Sequence, residues 1–334
     1  MNNPTQLIDA FGRIHDYLRI SLTERCNLRC FYCMPEEGLP LKDKTHFMTT
    51  DEIITIAKTF IALGVKKIRL TGGEPLICKD AHNIIQQLGK LDAELAITTN
   101  GVLVDRFIDT FKIAGIHSVN VSLDSLIEEK QNRISRRNYF ERVLKNIYLL
   151  IEHGFHVKIN VVVLKDLNTN ELIDFVELSK NHKVHLRFIE FMPFDGNKWD
   201  WSKGFGYKEM MDIFSAHYGS SEIIKHSDKP HDTAKCYSIK NYKGTFGVIS
   251  SVTNPFCSTC NRIRLTADGK MKNCLFSNNE TDLLSPLRQE LNITTLIINS
   301  ILSKKAERGG MKQFDKIPNT SEITKNRSMV SIGG

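Results

Sequence analysis

Between residues 17 and 192, six short strand-like runs alternate with helix-length amphipathic segments. That rhythm restricts the chain to folds built from repeated βα units around a parallel sheet. The spacing predicts strands over 17–22, 66–71, 94–98, 118–123, 156–164 and 185–191, and helices over 51–63, 80–91, 103–114, 140–153 and 170–180. Units of this kind make either an open doubly wound sheet or an incomplete barrel, and the charges inside the strands separate the two. Alternation puts Tyr17, Arg19 and Ser21 on one face and Leu18, Ile20 and Leu22 on the other. In the same way Lys67 and Arg69 oppose Ile68 and Leu70, Lys158 and Asn160 oppose Ile159 and Val161, and Arg187 opposes Leu186 and Phe188. Helices cover the apolar face, so the cations of four strands converge on the other side, which a sheet packed on both faces does not accommodate. The expected fold is α/β, an incomplete (βα)6 TIM-type barrel with a polar lumen suited to an anion.

After Met192 the rhythm stops. A Trp- and Gly-bearing loop over 195–206 precedes strand-like runs over 236–239 and 245–250 and a hairpin signal at Ala267-Asp268-Gly269-Lys270. The expected division is a barrel over residues 1–192 and a smaller C-terminal cap and tail over 193–334. The polar stretch 312–331 reads as a mobile tail.

Six of the eight cysteines lie in two triplets. Cys26, Cys30 and Cys33 form a C-x3-C-x2-C run directly after the first strand, at the mouth where barrels build active sites. Cys257 and Cys260 are followed after thirteen residues by Cys274. Three thiolates hold a cubane iron–sulfur cluster while leaving its fourth iron open to bind and activate a ligand, whereas a structural zinc site wants four closed ligands. Cys78 and Cys236 have no cysteine neighbour at metal-site spacing and read as small buried residues. The polar start lacks a signal-peptide core and no apolar run approaches the roughly 18 residues of a membrane span, so a cytoplasmic protein with reduced thiols is expected.

The run Leu70-Thr71-Gly72-Gly73-Glu74-Pro75 follows the second strand. Its glycines let backbone approach a ligand, and Glu74 is suited to accept from an ammonium group. A length of 334 residues with 41% hydrophobic content supports a sizeable core. The net charge of +7, from 45 basic and 38 acidic residues, hints at an anionic ligand. Nucleic acid is not expected, because the cations alternate with apolar residues inside strands instead of forming exposed stripes.

The cysteine triplet with Tyr32, followed by Thr71-Gly72-Gly73-Glu74-Pro75, resembles the radical S-adenosylmethionine enzymes. Further segments extend the match: Phe11-Gly12-Arg13, Cys33-Met34-Pro35, Thr98-Thr99-Asn100-Gly101, Asn120-Val121-Ser122-Leu123-Asp124, Arg187-Phe188-Ile189-Glu190-Phe191-Met192, the run from Phe256 to Arg264, and the final Ile332-Gly333-Gly334. With them the chain is similar, from about Phe11 to its end, to the GTP 3',8-cyclase family of molybdenum cofactor biosynthesis. Glu24 stands where that family commonly has aspartate, and the stretch 283–327 is not diagnostic.

The resemblance implies two 4Fe–4S clusters, one on Cys26, Cys30 and Cys33 that binds S-adenosylmethionine, the other on Cys257, Cys260 and Cys274 that meets the guanine of GTP. It implies Tyr32, Gly73, Ser122 and Met192 around S-adenosylmethionine, and Arg19, Arg69, Lys158, Arg262, Arg264 and Thr98 around GTP, with Lys67 and Arg187 as further phosphate ligands. The reaction it implies is conversion of GTP to 3',8-cyclo-7,8-dihydroguanosine triphosphate. The implied partners are an electron donor, the next enzyme of the pathway (cyclic pyranopterin monophosphate synthase) and a second copy of the chain in a homodimer. The alternative is a radical S-adenosylmethionine enzyme that modifies a peptide and carries an auxiliary cluster; the Arg262-Ile263-Arg264 run and the Gly-Gly end argue against it.

Overall fold

The computed structural model describes residues 6–35, 37–40, 42–197, 199–311 and 326–333. Most of the tail expected over 312–331, and Gly334, lie outside the described residues. Twelve strands form one sheet: β1 (Tyr17–Ser21), β2 (Lys67–Thr71), β3 (Glu94–Thr99), β4 (Ser118–Ser122), β5 (His156–Val163), β6 (His185–Glu190), β7 (Ile223–Lys225), β8 (Lys235–Ile239), β9 (Thr245–Ile249), β10 (Arg262–Leu265), β11 (Lys270–Lys272) and β12 (Thr281–Asp282). Their order is β12-β11-β10-β1-β2-β3-β4-β5-β6-β9-β8-β7. The stretch from β10 to β9 is parallel throughout, and an antiparallel pair finishes each edge. The first six strands fall where alternation puts them. β9 and β10 add parallel to β6 and β1, so the C-terminal part of the chain extends the same sheet on both flanks.

The helices are α1 (Thr50–Ala62), α2 (Ala81–Leu88), α3 (Ile108–Ile113), α4 (Glu128–Ser135), α5 (Phe140–Glu152), α6 (Leu172–Asn181), α7 (Tyr207–Tyr218), α8 (Leu284–Arg288), α9 (Thr294–Leu302) and α10 (Met329–Ile332). α1 starts at a capping box in which the Thr49 hydroxyl accepts from the Glu52 amide and the Glu52 carboxylate accepts from the Thr49 amide. It buries Ile53, Ile56, Ala57 and Phe60, a helical stripe, against the outer sheet face. The segment expected as one helix over 103–114 is a 3-10 turn followed by the shorter α3.

The apolar strand positions Leu18, Ile20, Ile68, Leu70, Ile97, Val119, Val121, Val157, Ile159, Leu186 and Phe188 are buried in one core with Phe60, Ile84, Phe111, Ile147 and Phe175 from the helices. On the opposite face one cavity is lined from β1 by Arg19, from β4 by Asn120, from β5 by Asn160, from β6 by Arg187 and from β10 by Arg262 and Arg264. Strands far apart in the sheet order thus face each other, which requires the sheet to curl around that cavity. Among the described residues no helix is long and apolar enough to cross a membrane.

Phe188 ties the outer layer together: it is fully buried, with its ring centroid 6.3 Å from Phe175 and 5.3 Å from Phe214. Phe188→Ala leaves a cavity beneath β6 and is expected to lower stability by about 3–5 kcal/mol, read as a lower urea midpoint at unchanged slope.

Candidate active site

Register decides which side chains share the inner face. Arg264 of β10, Arg19 of β1 and Arg69 of β2 occupy one row, because Arg19 pairs with both of the others. A second row runs Thr98, Asn120, Lys158, His185, and a third pairs Asn160 with Arg187. One cavity with an open mouth lies on this face. Arg19, Arg187, Arg262 and Arg264 line it; Arg69, Thr98 and Lys158 lie on the same sheet face outside its lining. The hydroxyl of Thr98 and the carbonyl oxygens of Asn120 and Asn160 are buried without a hydrogen-bond partner among the described residues.

The cations are crowded. Burial, then Arg264 and other cations, hold Arg19 well below its ordinary value. Burial and Arg69 bring Arg187 down to about 10, and burial and Arg262 bring Arg264 to about 10. Lys158 falls to about 8 through burial and the charges of Arg187 and Arg69. Tyr17 stands among them: burial favours its neutral form, but Arg69, Arg19 and Lys67 outweigh that and lower the phenol to about 8. Its oxygen accepts from Arg69 Nε at 2.5 Å, and Arg69 Nη1 donates to the Ile97 carbonyl at 2.9 Å, which fixes the guanidinium. Lys67 is engaged differently, 2.5 Å from the exposed Glu94 carboxylate and over the Tyr17 ring. Arg187 Nη2 donates to the Thr233 hydroxyl, and Arg262 Nη2 donates to the His231 carbonyl at 2.7 Å.

The first cysteine triplet lies in the loop after β1 and packs backbone to backbone on the glycine turn after β2. The Gly73 amide donates to Thr23 O at 2.7 Å and the Glu74 amide to Arg25 O at 2.8 Å. A Cβ on Gly73 would lie 2.2 Å from Arg25 O, and one on Gly72 2.7 Å from Thr23 O. The glycines therefore admit the chain's own cysteine loop. The Glu74 carboxylate turns inward, 1% exposed, and accepts from Thr99 Oγ1 at 2.7 Å, the Asn100 amide at 2.6 Å and the Leu76 amide at 3.1 Å. Burial pushes it up to about 7 against these three donors.

Cys26 Sγ accepts from the Leu28 amide at 3.4 Å and from Asn100 Nδ2 at 3.7 Å. Burial raises all three thiols, Cys26 to about 11, and Asp124 adds to the rise at Cys30 and Cys33. Asp124 accepts from Tyr32 OH at 2.7 Å and from the Val162 amide at 2.8 Å. Tyr32, Met192 and Cys274 pack against one apolar cluster, which brings the surroundings of the two triplets together. Gly73 stands beside the cysteine loop, and Ser122 pairs in register with Asn160 on the inner face.

The second triplet opens on the same cavity, which Cys257, Cys260 and Cys274 all line. Arg13 Nη1 donates to the Cys257 carbonyl at 2.8 Å and to Ala306 O at 2.7 Å, with its Nε held by Asp9 at 2.6 Å. Lys304 Nζ lies 3.7 Å from Cys260 Sγ. Burial opposes ionisation of Cys260, but Lys304, Arg262 and Arg13 prevail and lower it.

The thiols within each triplet are close enough to raise one another, yet among the described residues no three His, Cys, Asp or Glu side chains gather on one point for a single ion. Each triplet offers three neighbouring thiols, the ligand type that iron–sulfur clusters take. Sequence reasoning missed Asn100 and Lys304 as sulfur neighbours and Tyr17 as the partner of Arg69. The alternation in β1 does put Tyr17 on the cation face; no spacing signal points to Lys304.

Two family models match the chain: the Radical SAM superfamily over residues 20–179 and Molybdenum Cofactor Synthesis C over residues 184–310. The "GTP 3',8-cyclase, mitochondrial" of Arabidopsis thaliana is 44% identical over 341 residues, covering 100% of this chain and 85% of that protein. The "GTP 3',8-cyclase" of Lactiplantibacillus plantarum is 36% identical, covering 98% and 99%. The chain belongs to the GTP 3',8-cyclase family. "Molybdenum cofactor biosynthesis protein 1" of Bos taurus is 45% identical over 332 residues, and this chain spans about half of its length, 51%. Among solved structures, Streptococcus suis SuiB bound to S-adenosylmethionine shares the fold with a TM-score of 0.61 at 14% identity, covering 96% of this chain and 71% of that one.

As pH rises through about 8 the inner face loses the Lys158 charge and gains a Tyr17 anion. Both changes oppose anion binding, and each is worth up to about tenfold by pH 9. Inorganic tripolyphosphate is expected to bind wild type more weakly at pH 9 than at pH 7.5, relative to Tyr17→Phe and Lys158→Arg, which share the ligand's own ionisation. Parallel pH profiles by calorimetry for all three proteins would contradict this account.

Proposed function

We propose that this chain is a radical S-adenosylmethionine enzyme that converts GTP to (8S)-3',8-cyclo-7,8-dihydroguanosine 5'-triphosphate, the first step of molybdenum cofactor biosynthesis. The observation that carries the reading is the single cavity lined at once by the inner-face arginines and the second cysteine triplet, with Met192 at its wall. A triphosphate answers the cations, and a purine faces the sulfurs. We read the curled sheet as an incomplete (βα)6 TIM-type barrel over residues 1–192, with 193–334 as the cap that carries the second cluster.

Cys26, Cys30 and Cys33 are the residues to hold the first 4Fe–4S cluster, and Cys257, Cys260 and Cys274 the second. Loaded with S-adenosylmethionine and given one electron by a separate donor, the first cluster would supply reductive cleavage of the sulfonium, with methionine as leaving group, and so the radical chemistry at the ribose. Around it, Tyr32, Gly73, Ser122 and Met192 line the S-adenosylmethionine site. Tyr32 is held by Asp124, and Gly73 keeps the cysteine loop tight against the β2 turn.

Arg19, Arg69, Lys158 and Arg187, with Lys67 at the outer rim, neutralise the triphosphate. Thr98 offers an unpaired hydroxyl, and Arg262 and Arg264 hold the nucleotide beside the second triplet. Guanidinium groups fixed as Arg69 is fixed by Tyr17 and Ile97 bind phosphate without reorganising, and fixing both ends of GTP keeps ribose C3' against guanine C8 for ring closure. The apolar cluster about Tyr32 and Met192 excludes water from the radical.

Gly333, pressed against Ser21 and Thr71 with its carbonyl taken by Arg264, supports a role for the terminus at this site. The family resemblance further supports a cytoplasmic homodimer that draws electrons from a separate donor and passes product to cyclic pyranopterin monophosphate synthase. A peptide substrate, as in SuiB bound to its precursor peptide, leaves the converging cations without a partner.

The test is anaerobic reaction of the reconstituted protein with GTP and S-adenosylmethionine, following 5'-deoxyadenosine and cyclised nucleotide together. Cys26→Ala is expected to lose both products. Cys257→Ser should keep 5'-deoxyadenosine formation and lose cyclisation; full cyclisation by that variant would return the second triplet to a purely structural part. Arg19→Ala and Lys158→Met are expected to weaken GTP at least tenfold while changing guanosine little, and equal loss for both ligands would remove these residues from the phosphate site.

A further inference from the structure

The two triplets sit in different electrostatic surroundings. The hydrogen bonds to Cys26 come from neutral donors, the Leu28 amide and the Asn100 side-chain amide, and the charged group beside Cys30 and Cys33 is the buried Asp124. The second triplet instead meets a buried ammonium. Lys304 follows the end of α9, is 4% exposed, and places Nζ 3.7 Å from Cys260 Sγ and 3.2 Å from the Arg262 carbonyl.

Among the described residues no carboxylate lies within ion-pair distance of it. Asp9, the acid whose charge reaches it, is spent on Arg13 and His15. A buried ammonium without a counterion is costly, and here the sulfur is the acceptor that compensates it. The lysine is also held in place: Asn273, next to the ligand Cys274, donates to the Ser300 carbonyl at 2.7 Å and fixes the end of α9 on the triplet.

We propose that Lys304 is a positioning residue for the second cluster, donating to the Cys260 sulfur and setting that cluster's reduction potential above the first cluster's. The proposal rests on the reading of both triplets as iron–sulfur sites. Hydrogen bonds and charge at the sulfurs set cluster potentials, and a cation against a ligand sulfur favours the reduced, more negative state. At the first triplet the nearby charges are mixed, Glu74 and Arg29 about Cys26 and Asp124 about Cys30 and Cys33, and among the described residues no cation donates to a ligand sulfur.

The experiment is a redox titration of the reconstituted holoenzyme followed by electron paramagnetic resonance, with iron and sulfide analysis, for wild type, K304M, K304Q and K304R. K304M keeps the apolar stem and removes the charge, and K304Q keeps a donor without charge. Both are expected to move the second cluster to lower potential, K304M further, or to lose that cluster's iron selectively, with the first cluster unmoved; K304R restores the wild-type value. Fully loaded K304M and K304Q with an unchanged second potential would overturn the proposal while leaving the cluster reading intact. A wild-type protein that loads iron for only one cluster would overturn that reading, and the role of Lys304 with it.

Discussion

Repulsion among buried cations is the constraint around which this molecule is arranged. Parallel register sets Arg264, Arg19 and Arg69 side by side on the inner face, and the curl of the sheet brings Arg187 and Lys158 toward them. Like charges at this density lower one another's proton affinity and destabilise the empty site, and the protein answers with few anions of its own. Tyr17 is a weak one, and Glu94 reaches only Lys67 at the exposed rim. A bound polyanion would balance that charge. An outer face packed by Phe60, Phe111, Phe175 and Phe188 supplies the stability that lets the inner face remain strained in this way.

The same strands that carry the cations also deliver the cysteines. The first triplet follows β1, and its position depends on two glycines at the end of β2 that let carbonyls 23 and 25 lie against the turn. The second precedes and follows β10 and β11, and β10 is the neighbour of β1. One strand pairing thus sets the second sulfur group on the cavity and, through the apolar cluster shared by Tyr32, Met192 and Cys274, near the surroundings of the first. Arg13, from the segment before β1, reaches across to the Cys257 carbonyl and ties the beginning of the fold to the second triplet.

Local pattern made much of this legible. Period-two alternation in residues 17–22, 66–71, 156–164 and 185–191 located the strands and their charged face, because each strand is buried by helices on one side only. Cysteine spacing located both triplets. What stayed hidden is long-range or directional. The pairing of β10 with β1 and of β9 with β6 joins residues far apart in sequence, and no periodicity encodes it. The glycine turn reads as a ligand cradle, and no pattern shows that the chain's own backbone also lies against it. Glu74 reads as a ligand because carboxylates seldom sit fully buried, and here three donors from the β2 and β3 ends hold it inside. Lys304 has no motif around it, and its meaning comes only from where α9 ends.

The fold shared with SuiB at 14% identity shows how far the sequence of such a sheet can diverge. On that shared sheet, this chain's inner face carries its own set of cations. Arg19, Arg69, Lys158 and Arg187 stand on core strands and point inward, while Leu18, Ile68, Ile159 and Phe188 beside them carry the packing. Stability and specificity are therefore written on alternate residues of the same strands. Changes on one face reach the other only through the backbone that both share, which leaves the inner face free to be matched to a ligand while the outer face keeps the fold.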